Sequence, residues 1–179
     1  LDDAGRLKPK ASVVRVSRPV SMNGEVKIAR HLTAIDRDKL SVPMQALARH
    51  NYLDGNYAIF DYGCGKGDDV RELEAHGLNV FAWDPVFRPE GTKTRCDIVN
   101  LGYVINVIED RSERNHVLRD AFKHAKHLLT VSAMLAGDAT VAQFTPYKDG
   151  VLTKRNTFQK YYTQSELRSY IETTLNTNA

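Results

Sequence analysis

The short apolar run Ala58-Ile59-Phe60 ends in Asp61-Tyr62-Gly63-Cys64-Gly65-Lys66-Gly67-Asp68. A run of this kind reads as a buried parallel strand. Glycines at alternate positions after it allow a tight turn and let a ligand approach the backbone. The spacing predicts a helix over 68–76, with Asp68 and Asp69 at its positive end and Gly77 terminating it. Its first N–H groups lie open behind the glycines. The pattern is G-x-G-x-G with an acid two residues before it. It is not the dinucleotide fingerprint, because Asp68 stands where the third glycine would be, and no G-K-[ST] makes it a phosphate loop. Asp68 and Asp69 would repel a pyrophosphate, so the ligand carries no phosphate there.

Strand and helix patterns alternate through the rest of the central block. Residues 79–83 form a second strand signal ending at Asp84-Pro85, and 97–101 a third. Ser112 is expected to cap a long helix whose stripe is Val117, Leu118, Ala121, Phe122, Ala125 and Leu128. Residues 128–134 read as a fourth strand. Upstream, 12–18 alternates weakly as a strand stopped by Pro19, and a helix over 43–53, capped by Asp36 or Ser41, carries Met44, Leu47, Ala48 and Tyr52 at helical spacing. Downstream, Thr163-Gln164-Ser165-Glu166 is a capping box opening a helix toward Leu175. We expect an N-terminal strand/helix extension over 1–56 and a ligand-binding domain over 57–179, together one compact unit. Alternating strands and helices imply a mostly parallel sheet with right-handed crossovers, and in such sheets the ligand sits at the carboxyl ends of the strands.

Asp84 therefore matters. It closes the second strand 17 residues after Gly67, where a carboxylate can accept both hydroxyl hydrogens of a ribose. With the glycine loop and Asp61, it describes a nucleoside ligand bearing a polar or cationic group. S-adenosylmethionine fits, with expected contacts at Asp61, Tyr62, Gly63, Cys64, Gly65, Gly67, Asp84, Pro85, Asn100 and Leu101. The 179 residues, 42% hydrophobic and 26% charged, are globular in composition, which excludes disordered and fibrous classes. No apolar stretch approaches the roughly 18–20 residues of a membrane helix, and residues 1–10 are too polar for a secretory signal. Two cysteines, Cys64 and Cys96, make neither a disulfide framework nor a zinc pattern, and suit a reducing cytoplasm. With no initiator Met, the chain is expected to be a piece of a longer one. A net charge of +3 neither requires nor excludes nucleic acid, although Lys148, Lys154, Arg155 and Lys160 gather near the C-terminal loop.

D-x-G-x-G-x-G after a strand, with Asp84 ending the next, resembles the class I SAM-dependent methyltransferases. The segments 97–100 and 104–110 resemble their fourth strand and its sequel, and 157–167 resembles the aromatic lead-in and capped helix after their fifth. The resemblance implies a Rossmann-like three-layer α/β sandwich. Only the 12 residues from Pro85 to Cys96 separate the second strand from the next, and they contain Pro85, Pro89 and Gly91. The usual third strand is therefore expected to be missing, with adenine contacts supplied by Trp83, Pro85, Val86 or Phe87. The last two strands of the usual seven have no obvious sequence either, and the open edge would need the N-terminal strand or a second subunit as cover. Segments 31–35, 60–70, 83–85, 99–110 and 158–161 resemble, more narrowly, the DNA phosphorothioation-associated methyltransferases, over about residues 28–175. That resemblance implies a bacterial defence setting beside genes that place sulfur in the DNA backbone; it does not supply the substrate, and DNA or RNA as acceptor, with other DNA-modification proteins as partners, are expectations within that setting.

Methyl transfer asks little beyond alignment of nucleophile, methyl and sulfur. Asn100-Leu101-Gly102-Tyr103 has the Asn and Tyr of the N-P-P-Y motif of amino-methyltransferases but neither proline, and Asn100 and Tyr103 are the candidate catalytic residues. The opposing reading has Asn100 on the cofactor and Tyr103 packing. Neither cysteine has the Pro-Cys context of a C5-cytosine nucleophile. His116, His124 and His127 interleave with Lys123 and Lys126 as a solvated face rather than a metal site, and His31 is a candidate for the pocket mouth. Phe158 to Tyr162 either stacks bases beside Lys160 or packs on the core. Two other functions compete: a non-catalytic SAM-binding or docking module of a DNA-modification complex, and a nicotinamide-dependent oxidoreductase, which the glycine spacing opposes.

Overall fold

Four strands pair in parallel in the order β2-β1-β3-β4: β1 Ile59–Tyr62, β2 Val80–Trp83, β3 Cys96–Gly102 and β4 Ala125–Ser132. This is a computed structural model, and it describes residues 28–34 and 39–179. The strand expected over 12–18 and the alternative cap Asp36 lie outside the described residues. Alternation along the strands sorts side chains onto two faces. Ile59 and Ile98 meet Met44 and Leu47 of α1 (Val42–Arg49) and Leu73 of α2 (Asp68–Ala75). Phe60, Val99 and Leu101 meet Leu118 and Ala121 of α3 (Arg111–His124), with Leu167, Tyr170 and Ile171 of α5 (Gln164–Leu175) packed against them. The result is a helix–sheet–helix sandwich.

Three helix boundaries differ from expectation. The helix expected over 43–53 ends at Arg49, so Tyr52 lies in the turn beyond it. Asp110, not Ser112, caps α3: its Oδ1 accepts from the Glu113 amide at 2.8 Å, which places Ser112 inside the first turn. The helix also stops at His124. Ala125 and Leu128, expected on its stripe, belong to β4, where they pair with Cys96 and Ile98 of β3. Phe122 is correspondingly 43% exposed. The 3.6-residue period and the strand that follows overlap in sequence, and backbone pairing with β3 decides between them. The capping box at Thr163 forms as expected, with Glu166 Oε2 accepting from the Thr163 amide at 2.7 Å.

No strand lies between β2 and β3; residues 85–95 form a loop. Asp84 and Arg88 exchange backbone hydrogen bonds at its start. Lys93 fastens it to α3: its ammonium donates to Tyr62 Oη at 2.6 Å and Asp120 Oδ2 at 2.8 Å, and it lies 3.9 Å from the Trp83 ring centre. Beyond β4 and the short α4 (Asp138–Val141), the chain forms an antiparallel sheet that the sequence did not announce, β5 (Thr145–Tyr147), β6 (Gly150–Leu152) and β7 (Phe158–Gln159). Arg114, 1% exposed, pins it by a paired contact to Asp149 at 2.9 and 2.8 Å. Past the end of β4, Leu135 bridges to Tyr162 in parallel. Among the described residues no helix is long and apolar enough to cross a membrane.

Candidate active site

The order β2-β1-β3-β4 changes winding direction between β1 and β3, and a crevice opens at the carboxyl ends of strands at such a point. The glycine loop lies there. The amides of Gly63 and Cys64 both donate to the Trp83 carbonyl, at 2.7 and 3.2 Å, tying the loop to β2. Gly63 has φ +80°, and a Cβ on it would stand 2.5 Å from Val104 Cγ2. Gly67 has φ +77° as the cap of α2, with the Arg88 guanidinium packed on its Cα. Both positions require glycine, one by close approach of the β3–α3 loop and the other by its left-handed turn.

Asp84 is the centre of this arrangement. One carboxylate oxygen accepts from the Gly65 amide at 3.0 Å; the other accepts from the amides of Val86 and Phe87, each at 2.9 Å. It therefore holds the glycine loop and the first turn of the 85–95 loop against each other. Oδ2 retains capacity for one further donor, whereas Oδ1 already accepts two. Beside it lies a cavity of about 660 Å³, within the range of sites for small organic ligands. Tyr62, Gly63, Cys64, Gly65, Trp83, Asp84, Pro85, Val86 and Phe87 wall one part of it; Tyr103, Asn106, Val107, Met134 and Gln159 wall another.

Of the residues expected at the site, Tyr62, Gly63, Cys64, Gly65, Asp84, Pro85 and Tyr103 line this cavity. Asp61, Gly67, Asn100 and Leu101 are buried behind its wall. Asp61 and Asn100 are register partners on the α1/α2 face, and with Thr130 they make a polar ladder across β1, β3 and β4. Asn100 Nδ2 donates to Asp61 Oδ1 at 2.9 Å, and Thr130 Oγ1 donates to Asn100 Oδ1 at 3.0 Å. Both ends of the Asn100 amide are thus engaged inside the sheet. Tyr103, at φ +59°, starts the loop after β3. Burial, and then the nearby Asp61 and Asp84 carboxylates, push the Cys64 thiol up to about 12, so at neutral pH it stays a thiol.

Several site residues had no signal in the sequence. Arg30 donates through Nε to Glu109 at 2.8 Å and through both terminal nitrogens to Glu113 at 2.6 and 2.7 Å. This strap draws the 3-10 turn Arg30–Thr33 across the cavity, where Arg30, Thr33, Ala34 and Glu113 join its lining. The partners lie 79 and 83 positions apart, beyond any local pattern. Asn106 and Gln159 meet in the same way, 53 positions apart. The side chain of His31 lies outside the described residues. Phe158 and Tyr162 are buried at 0% and 2% exposure, so they pack rather than present faces for stacking; Tyr161 lies against Phe144 instead. His124 packs edge-on to Phe60, and no cluster of three or more His, Cys, Asp or Glu that could hold a metal occurs among the described residues.

No protein-family model matches the chain, and no curated protein matches it. Solved structures do. The chain is similar to the 1,6-didemethyltoxoflavin-N1-methyltransferase of Burkholderia thailandensis, a structure with bound 1,6-didemethyltoxoflavin and S-adenosylhomocysteine, at 17% identity and a TM-score of 0.54 over 74% of this chain. It spans 65% of that protein's chain. Weaker likenesses are to the magnesium protoporphyrin IX methyltransferase of Synechocystis PCC 6803 (11% identity, TM-score 0.47, 81% of this chain and 82% of that one) and to an O-methyltransferase family protein of Burkholderia thailandensis (15%, 0.48, 74% and 49%). The first likeness shows the fold: a reduced form of the Rossmann-like α/β sandwich of class I methyltransferases.

Proposed function

We propose that this protein is a SAM-dependent methyltransferase. The observation that carries the reading is Asp84, which bonds the Gly65 amide while facing the cavity at the strand-order reversal. The residues present fit the cofactor. Asp84 Oδ2 has capacity for one ribose hydroxyl, the glycine loop lines the cavity at Gly63 and Gly65, and Trp83, Pro85, Val86 and Phe87 offer an apolar wall to a purine. Bound there, the cofactor supplies an electrophilic methyl group on a sulfonium. The chain's own contribution is placement: the polar ladder behind Asp61 fixes the strand ends, Tyr103 and Met134 bound the acceptor side, and the Arg30 strap keeps water from one flank. Tyr103 is the candidate to contact the acceptor. Asn100, with both amide ends engaged, acts by holding β1, β3 and β4 in register.

Nucleic acid as acceptor, in a phosphorothioation-linked defence system, rests on the narrower sequence resemblance. One placement supports it: the Ala29 amide bonds the Asn156 carbonyl at 3.2 Å, so the turn carrying exposed Lys154 and Arg155 adjoins the strap over the cavity. The competing reading, a SAM-binding docking module without turnover, is favoured by the engagement of Asn100. Calorimetry with S-adenosylhomocysteine tests the parent reading, and absence of binding defeats it. Transfer of label from methyl-labelled SAM to duplex or single-stranded DNA supports the enzyme. Binding without transfer to DNA, RNA or small amines supports the module.

A further inference from the structure

Residues 85–95 run from β2 to β3 with no strand or helix of their own, yet Pro85, Val86 and Phe87 wall the cavity. Val86 is 55% exposed and Phe87 38%, so packing alone does not fix them. The loop is tied down along its length instead. At its start, Asp84 accepts from the Val86 and Phe87 amides. In its middle, Gly91 lies so close to β2 that a Cβ on it would stand 2.4 Å from the Ala82 carbonyl oxygen. Near its end stands Lys93. Lys93 does not line the cavity, but Tyr62 and Trp83 do. Its ammonium lies 3.9 Å from the Trp83 ring centre and 4.6 Å from that of Tyr62, and those two rings meet edge to face at 5.2 Å. It donates to Tyr62 Oη at 2.6 Å and to Asp120 Oδ2 at 2.8 Å, and Tyr62 Oη donates to the same Oδ2 at 2.6 Å. Ammonium, phenol and carboxylate thus close a triangle that joins the 85–95 loop, β1 and α3. The Lys93 and Asp120 side chains are 31% and 21% exposed, so water screens the triangle only in part. A cation over an indole adds an attraction that grows as water is excluded.

We infer that Lys93 is a positioning residue for the purine half of the cofactor: through Trp83, Tyr62 and Asp120 it holds the apolar wall of Trp83, Pro85, Val86 and Phe87 in place against a purine ring. This inference rests on the methyltransferase reading and deepens it. A wall left free to shift binds more weakly even with every lining residue present, because ordering it then opposes binding. The glycine loop is held by other bonds, from the Gly63 and Cys64 amides to the Trp83 carbonyl and from the Gly65 amide to Asp84. Releasing Lys93 should therefore leave the homocysteine half of the site unaffected.

The test titrates the whole chain with S-adenosylhomocysteine and with adenosine, well below the melting temperature of each variant. Lys93→Met keeps the alkyl stem and removes the ammonium. It is expected to weaken S-adenosylhomocysteine binding about tenfold by calorimetry, and adenosine binding by the same factor by NMR. Lys93→Arg keeps a cation over the indole and a donor to Asp120, and should bind within about threefold of the parent. Trp83 is the chain's single tryptophan, so its emission reports the wall directly. Saturation with S-adenosylhomocysteine should shift that emission alike in the parent and Lys93→Arg, and less in Lys93→Met. Asp120→Ala opens the same triangle from α3 and should show the same losses, which keeps the test valid if Lys93→Met does not fold. Unchanged binding in these variants, a loss for S-adenosylhomocysteine that exceeds the loss for adenosine, no adenosine binding by the parent, or Lys93→Arg as weak as Lys93→Met overturns the inference. Failure of S-adenosylhomocysteine to bind the parent instead overturns the methyltransferase reading beneath it.

Discussion

At the scale of single residues, the site depends on a few positions where backbone and side chain permit one choice. Gly63 sits at φ +80° against Val104. Gly63→Ala should destabilise the fold by about 2–4 kcal/mol, from the left-handed backbone and the clash together; urea unfolding measures it. Asp84 accepts from three backbone amides. Asp84→Asn turns one of those contacts into a donor facing a donor, and should weaken S-adenosylhomocysteine binding at least about tenfold by calorimetry. The Cys64 thiol, pushed up to about 12 by burial, ionises far less at pH 8 than in the unfolded chain. Its alkylation by iodoacetamide, followed at that site by peptide mass spectrometry, should be much slower than in the unfolded chain and still rising at pH 10. These residues were legible as types and spacing. What was not legible was Asn100, whose amide a strand register consumes.

At the scale of elements, a charged contact helps join the C-terminal sheet to the sandwich. Arg114 on α3 is buried, while Asp149 between β5 and β6 is 38% exposed on its side chain. Asp149→Asn should destabilise by about 2–3 kcal/mol, below the roughly 3–5 of a wholly buried pair because water reaches the aspartate. The sign with pH follows. The bond from Arg114 holds the Asp149 carboxyl below its ordinary range. Its stabilisation is complete above the unfolded carboxylate's pKa near about 4, and is lost as pH falls through the lower folded value. The parent should therefore lose its advantage over Asp149→Asn as pH drops below about 4 in acid titrations. The strands β1 and β2, α2 and the α5 capping box were readable because glycines, caps and apolar runs are local signals. The sheet β5–β7 was not: its strands are three, three and two residues long, too short for any periodicity to register.

At the scale of the whole molecule, the crevice is walled by two sheet strands, the glycine loop, the 85–95 loop and the strap at Arg30. A ligand that binds only the folded state stabilises by about 2.7 kcal/mol at a hundred times its dissociation constant. For a chain of this size that is a rise of about 5–10 °C in melting temperature. S-adenosylhomocysteine should produce it, NAD should not, and differential scanning fluorimetry reads both. The sequence alone determined the parallel α/β sandwich, the absence of the third strand, and the pairing of a glycine loop with Asp84, because each depends on neighbours in the chain or on the length of a connection. Only the tertiary structure decided which of those residues face the cavity, how Arg30 straps it, and how Asn106 meets Gln159. Those outcomes depend on groups 53 to 83 positions apart, and packing, not local propensity, brings such groups together.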